Sequence, residues 1–281
     1  MASTDLTRRE FGFLVGGMLV TAPAAPLEGG AQNRPSEPAL DIADWSYHWY
    51  GVEHATLARG TVCNGMQMYV ERWIPSQVRH PYPVVLIHGG YGQGTDWIST
   101  PDGRRGWASL LLEQGYKVYV VDRPGQGRNP YHPFVHGNFD AQAPTFERAA
   151  GQWPGHSVDD PAIAQLVASM GQPMANNANT QSVWRSRGSI LLDDIGPAIL
   201  MSHGDGVILA AVTAEARPNL VKGIVALDPQ RLAKLPGVPA AIVAVNDPGI
   251  GGDLIRSSAS MAMMEKNDRE ALQPVLDWMD R

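Results

Sequence analysis

The segment Gly196-Pro-Ala-Ile-Leu-Met-Ser-His-Gly-Asp-Gly206 runs an apolar stretch into a tight turn that opens a helix. A strained strand-to-helix turn can hold one side chain clear of a sheet, where a serine hydroxyl there becomes an exposed nucleophile. Gly204 sits at the tip of this turn and has no side chain to attack with. Ser202 lies two residues earlier and reaches the tip only if the strand ends two residues sooner. Its surroundings, Leu200-Met-Ser-His-Gly204, lack the first glycine of G-x-S-x-G, and its other reading is a hydroxyl capping the strand end. Asp205 offers a carboxylate, which becomes the attacking group only after a one-residue shift of register.

Covalent acyl transfer also needs a base, an acid that orients it, and donors for an oxyanion. His88-Gly89-Gly90 closes the apolar run Pro83–His88. Small residues there let backbone N–H groups approach a developing anion, or simply make a glycine turn. A carboxylate at Asp205 opposes negative charge nearby unless its side chain turns away. Asp228, in Ala226-Leu-Asp-Pro229, and Asp247, in Val245-Asn-Asp-Pro248, each end an apolar strand. Sites in open α/β sheets gather at such strand ends, although an Asp before Pro is equally a turn cap.

The base is the missing part. All eight histidines (48, 54, 80, 88, 132, 136, 156 and 203) lie at or before His203. His203 and Ser202 are adjacent on an extended segment and point to opposite faces, so they form no nucleophile–base pair. His132 and His136 have H-x3-H spacing with Asp140 nearby, but Pro133 and Gly137 argue against the regular helix that would converge the two rings. A solvated loop is the better reading there and for His156, and no metal or other cofactor is expected.

The elements that must position these residues alternate along the chain. Pro83–His88, Tyr116–Val121, Ala198–Met201, Val221–Leu227 and Ala240–Val245 read as buried strands. Arg105–Gly115, Gln181–Ile195, Asp205–Ala216 and Asp268–Met279 read as helices. Val52–Cys63 and Met66–Trp73 flank Asn64-Gly65, a hairpin signal, and Trp45, Tyr47, Trp49 and Tyr50 form an aromatic cluster ahead of them. The pattern predicts a mostly parallel, doubly wound α/β sheet led by an antiparallel hairpin. Residues 129–178 break the rhythm with Pro, Gly, His, Asn and Gln, as an inserted lid would. Between Asp247 and Met261 there is little room for a further strand.

A net charge of -6 without a basic stripe argues against a nucleic-acid partner. The single cysteine, Cys63, excludes an internal disulfide and reads as a half-buried strand residue. Thr7-Arg8-Arg9-Glu10-Phe11 precedes an uncharged run to Ala25, too short to span a bilayer, with an A-x-A site at Ala22-Pro-Ala24. Paired arginines before such a run resemble a twin-arginine export signal. Residues 1–25 are thus expected to be a signal peptide, 26–44 a flexible lead-in and 45–281 the domain, with no membrane span in a mature periplasmic or secreted protein.

Together VVLIHGGYGQG at 84–94, GYKVYVVDRPGQGRN at 115–129, GPAILMSHGDG at 196–206, ARPNLVKGIVALDP at 216–229 and MMEKNDREALQPVLDWM at 263–279 resemble the α/β-hydrolase superfamily, with the closest look to secreted bacterial esterase-like members. The resemblance covers about residue 45 to the end. It implies the α/β-hydrolase fold, a carboxylic-ester hydrolase ancestry and a small ester-like or hydrophobic ligand. It places the nucleophile position at Gly204 and the oxyanion hole at Gly89, Gly90 and Tyr91 with the N–H of Asp205. The position matching the catalytic His is near Ser260, and a carboxylate nucleophile at Asp205 would act as in hydrolytic dehalogenases. With glycine and serine at two of three triad positions, the standard mechanism is unavailable, and a non-catalytic binding relative is the competing reading.

Overall fold

The computed structural model describes residues 37–131, 144–153, 155–171, 175, 177–230, 232 and 234–281. Its strands are β1 (Ile42–Tyr50), β2 (His54–Leu57), β3 (Gly60–Cys63), β4 (Met68–Pro75), β5 (Val84–Ile87), β6 (Val118–Asp122), β7 (Ala198–His203), β8 (Val221–Leu227), β9 (Ala240–Ala244) and β10 (Asp253–Arg256). Its helices are α1 (Thr95–Ile98), α2 (Trp107–Glu113), α3 (Phe146–Gln152), α4 (Pro161–Ser169), α5 (Ala178–Ile195), α6 (Gly206–Ala216) and α7 (Asp268–Met279). Eight strands make one sheet in the order β1-β4-β6-β5-β7-β8-β9-β10. The β1–β4 and β4–β6 pairs are antiparallel, and all the others are parallel.

The central strands are apolar throughout because helices cover both faces of the sheet. Side chains alternate between two cores. Val84 and Leu86 of β5 pack with Trp97, Trp107, Leu272 and Val275, while Val85 and Ile87 pack with Trp184, Leu191, Ile208 and Leu209. One core therefore joins the sheet to α1, α2 and α7, and the other joins it to α5 and α6. Each such side chain, fully buried, contributes about 1.5–3 kcal/mol relative to exposure. Polar side chains cap the starts of three helices. Thr145, Asp160 and Asn177 each accept a backbone N–H from the first turn of α3, α4 and α5, which places the start of α5 at Ala178, ahead of the expected Gln181.

Three expectations are corrected. Asn64-Gly65 does not turn a hairpin. The Asn64 side chain accepts the Met66 N–H at 2.9 Å, and the strands on either side pair elsewhere, β3 with β2 and β4 with β1. The antiparallel lead of the sheet is thus the β1–β4 pair, with the aromatic cluster as β1 itself; this strand begins at Ile42, inside the expected lead-in. Cys63 is exposed, because β2 and β3 form a separate two-stranded ribbon. The stretch after Asp247 does hold a last strand: four residues of β10 suffice to pair in parallel with β9.

Candidate functional site

The carboxyl ends of β5, β7 and β8 meet at a cavity of about 260 Å³, lined by Gly89, Gly90, Tyr91, His203, Gly204, Asp205, Asp228 and Ser260, with Asp96, Arg148, Leu166, Met170 and Met261 among the other walls. Gly204 stands at the turn between β7 and α6 with φ of 51°, a left-handed conformation that costs an L-residue roughly 1–2 kcal/mol. The turn is tied down by the Gly204 N–H donating to Leu227 O at 2.9 Å. A Cβ at Gly204 would meet only Gly89 Cα, at 3.8 Å, so the apex has room for a side chain and lacks one. Gly206 has no such room. A Cβ there would lie 2.5 Å from His88 O, because the start of α6 presses against the end of β5.

The glycine turn after β5 is held from below by the loop after β6. His88 is fully buried and structural: its Nε2 accepts the Arg123 N–H at 3.0 Å and its ring bonds Gly89 O through Nδ1. Burial, with Arg123 beside it, holds the ring well below the usual imidazole range. The Arg123 guanidinium also donates to Gly89 O, and Gln126 Nε2 donates to Gly90 O at 2.7 Å. Asp122 accepts the Gly94 N–H and pairs with Arg128, which also binds Glu71 and lies 4.1 Å from the Tyr69 ring centroid. Asn129 closes the same loop onto Asp122 O and accepts the Tyr69 N–H at 2.7 Å. A buried polar network of this kind fixes where the loop's N–H groups point.

The candidate acids separate cleanly. Asp228 follows β8 into the cavity with φ of 42°, the one positive φ of a non-glycine residue among the described residues. Asp247 is exposed and accepts the Gly249 N–H at 2.8 Å, a turn cap outside the cavity wall. Ser202 is fully buried, with its Oγ 3.4 Å from Val225 O, and is not part of the cavity wall. His203 does line the cavity, and its ring is hydrogen-bonded to the Ser260 backbone. Burial lowers its pKa, an effect only partly offset by Asp228, the Ser260 bond and Asp205. His156 stacks on Trp153 and binds Asp160 at 2.6 Å, which makes it part of the start of α4. His132, His136 and Asp140 lie outside the described residues. Among the described residues no cluster of His, Cys, Asp or Glu could hold a metal ion.

Residues 84–280 match the Alpha/beta hydrolase family. The chain belongs to that family. A probable secreted lipase, phiG, from Fungal sp. (strain ATCC 74256) is 37% identical over 182 residues, which take in 58% of this chain and 49% of the relative. The chain thus spans about half the length of that curated relative. The solved structure of a novel bacterial esterase superposes with a TM-score of 0.69 at 23% identity, over 88% of this chain and 98% of that one. A proline iminopeptidase from Mycobacterium smegmatis does so at 0.51 and 10% identity, over 84% and 98%. At these identities the two structures show the fold alone.

Within this hydrolase fold, three residues near the cavity carry charge that the motifs did not flag. Asp96 of α1 is buried on the cavity wall, and desolvation raises its pKa to about 7. Arg123 is buried beneath the glycine turn with its pKa lowered to about 10 by desolvation, against the pull of Asp205 and Asp96. Arg148 of α3 places its guanidinium 4.3 Å from the Tyr91 ring centroid. An acid followed directly by Trp97 and Ile98 was the one sequence signal available for Asp96. Helices α3 and α4, from the expected lid region, supply Arg148, Leu166 and the cavity's far wall.

Proposed function

We propose that this α/β-hydrolase is an exported protein of carboxylic-ester hydrolase ancestry whose serine-type turnover is weak or lost, and whose cavity binds an ester-like or hydrophobic small molecule. The observation that carries this reading is Gly204. It has the left-handed backbone and the side-chain room of a nucleophile position, and it has no nucleophile. Ser260, where the resemblance places the base, lines the cavity and offers only a hydroxyl that cannot take up a proton near neutral pH. Gly90 or Tyr91 and Asp205 would supply oxyanion N–H groups, and Asp228 the acid. Export to the periplasm or beyond is supported by the twin-arginine-like residues 1–25 and by the name of the secreted lipase it resembles.

The test is hydrolysis of p-nitrophenyl butyrate by the purified chain, by Ser202→Ala and by Gly204→Ser/Ser260→His. Wild type and Ser202→Ala are expected to be equal and close to background. The double variant should gain at least ~100-fold, with an acyl-enzyme burst, since an oxyanion hole alone gives only residual catalysis. A clear wild-type rate that disappears in Ser202→Ala would overturn the reading.

A further inference from the structure

We propose that the outer edge of β1 recognises a second copy of this chain: the β1 strands of two copies pair antiparallel about a two-fold axis between their Ser46 residues, and the two sheets become one. The inference goes beyond the reading of the cavity and does not depend on it.

Strand β1 ends the sheet. Among the described residues its only strand partner is β4, so one edge of a nine-residue strand is left for pairing. The other end of the sheet is guarded. There β10 is four residues long, with exposed charges at Asp253 and Arg256. Strand β1 has no such guard. It contains neither lysine nor proline, and its one irregularity lies between Ile42 and Asp44, so Asp44–Tyr50 run in unbroken register along β4. On one face of this edge Trp45 is 63% exposed and Tyr47 58%. Both rings are already fixed: Trp45 Nε1 donates to Glu71 Oε1 at 2.6 Å, and Tyr47 stacks on Tyr69 with centroids 5.5 Å apart. Rings ordered before association lose little freedom on binding.

The order of the residues selects the occupant. Asp44-Trp-Ser-Tyr-His48 is close to a chemical palindrome, acid and imidazole outside, aromatics inside, serine at the centre. A two-fold axis that pairs a strand with its own copy stands normal to the sheet, between two copies of one residue, and opposed side chains share a face. With the axis at Ser46, Trp45 meets Tyr47 of the second copy and Asp44 meets His48 of the second copy, each twice. With the axis at Trp45 or Tyr47, Asp44 faces a serine or a tyrosine instead; at Asp44 it faces another carboxylate. Arg72 and Ser46 both donate to Asp44 Oδ2, which leaves Oδ1 to accept from the imidazole. Aromatic and acid–imidazole pairs of this kind stabilise an antiparallel edge, and the ladder across Asp44–His48 adds about four to six backbone hydrogen bonds.

The experiment is sedimentation velocity of the purified chain at micromolar concentration and neutral pH, where a dimer is expected. His48→Asp sets a carboxylate opposite Asp44 in two places and should weaken the dimer at least ~10-fold. Asp44→Lys sets an ammonium opposite His48 and should weaken it too. Mixed together, these two variants restore an attractive pair at both places and should associate where neither does alone. Thermal melting confirms that each is folded. An independent readout is oxidation of Ser46→Cys in a Cys63→Ser background. The opposed Cβ atoms come about 4.5–5.5 Å apart, so a disulfide-linked dimer should form. Ala43→Cys in the same background faces Trp49 of the second copy and should not cross-link. A chain that stays monomeric, a dimer indifferent to His48→Asp, or a Ser46→Cys variant that fails to cross-link would each overturn the proposal.

Discussion

Asp96 should make the stability of this protein fall as pH rises. The residue is 7% exposed, on a single turn of helix beside Trp97. Burial raises its pKa from 3.8 to about 7, with Asp122 adding to the rise and the Gln93 backbone and Arg123 opposing it. The folded chain therefore keeps this proton between pH 4 and 7, where the unfolded chain has released it. The unfolded state binds fewer protons in that window, so unfolding becomes easier with each unit of pH. About three units at roughly 1.4 kcal/mol each put the total near 4 kcal/mol. The contribution is whole below pH 3.8 and gone once the folded group ionises above about 7. Asp96→Asn mimics the neutral acid and cannot ionise. Urea denaturation of both proteins from pH 4 to 8 measures the difference and cancels groups the substitution does not touch. The two midpoints should lie close at pH 4, with the variant gaining up to about 4 kcal/mol by pH 8. A difference that stays flat across this range would refute the argument, because it would mean that Asp96 ionises in the folded chain as easily as in the unfolded one.

Two further substitutions probe the frame of the site. Gly206→Ala puts a Cβ 2.5 Å from His88 O and 2.8 Å from Ile87 O, both backbone atoms that cannot swing aside. It should cost about 1–3 kcal/mol in urea unfolding by prising α6 from β5. Arg123→Met leaves Asp205 and the glycine turn without their buried cation, and should cost about 3–5 kcal/mol in the same measurement.

The five central strands of the sheet, β5 to β9, were legible because each is a short apolar run between turn residues, and a strand covered on both faces needs nothing else. Val221–Leu227 and Asp268–Met279 occur as read. What failed depended on partners distant in sequence. Asn64-Gly65 bends the chain, with Gly65 at φ of 80°, yet the strands on either side pair with β2 and β1, which the dipeptide does not see. The last strand was missed because parallel pairing to β9 needs only Asp253–Arg256. Asp228 and Asp247 look alike as an Asp before Pro after an apolar run; only the fold turns one into the cavity and leaves the other in solvent. Arg123 lay inside a motif that was legible as a strand end, but its task beneath Gly89 emerges only when β6 is placed beside β5.

The pattern of what is kept and what is changed bears on function. A site drifting without use would be expected to lose its costly features first, because left-handed residues and buried charges lower stability unless something holds them. Here such features are present together: the φ of 42° at Asp228, the buried Arg123 under the turn and the forced glycine at 206. In the reading proposed above, the groups that are missing are the nucleophile at 204 and the base near 260, which would react with substrate and are not needed to hold the fold. Under the proposed reading, a scaffold that supports this frame and a shaped cavity without those reacting groups is better suited to holding a ligand than to hydrolysing one.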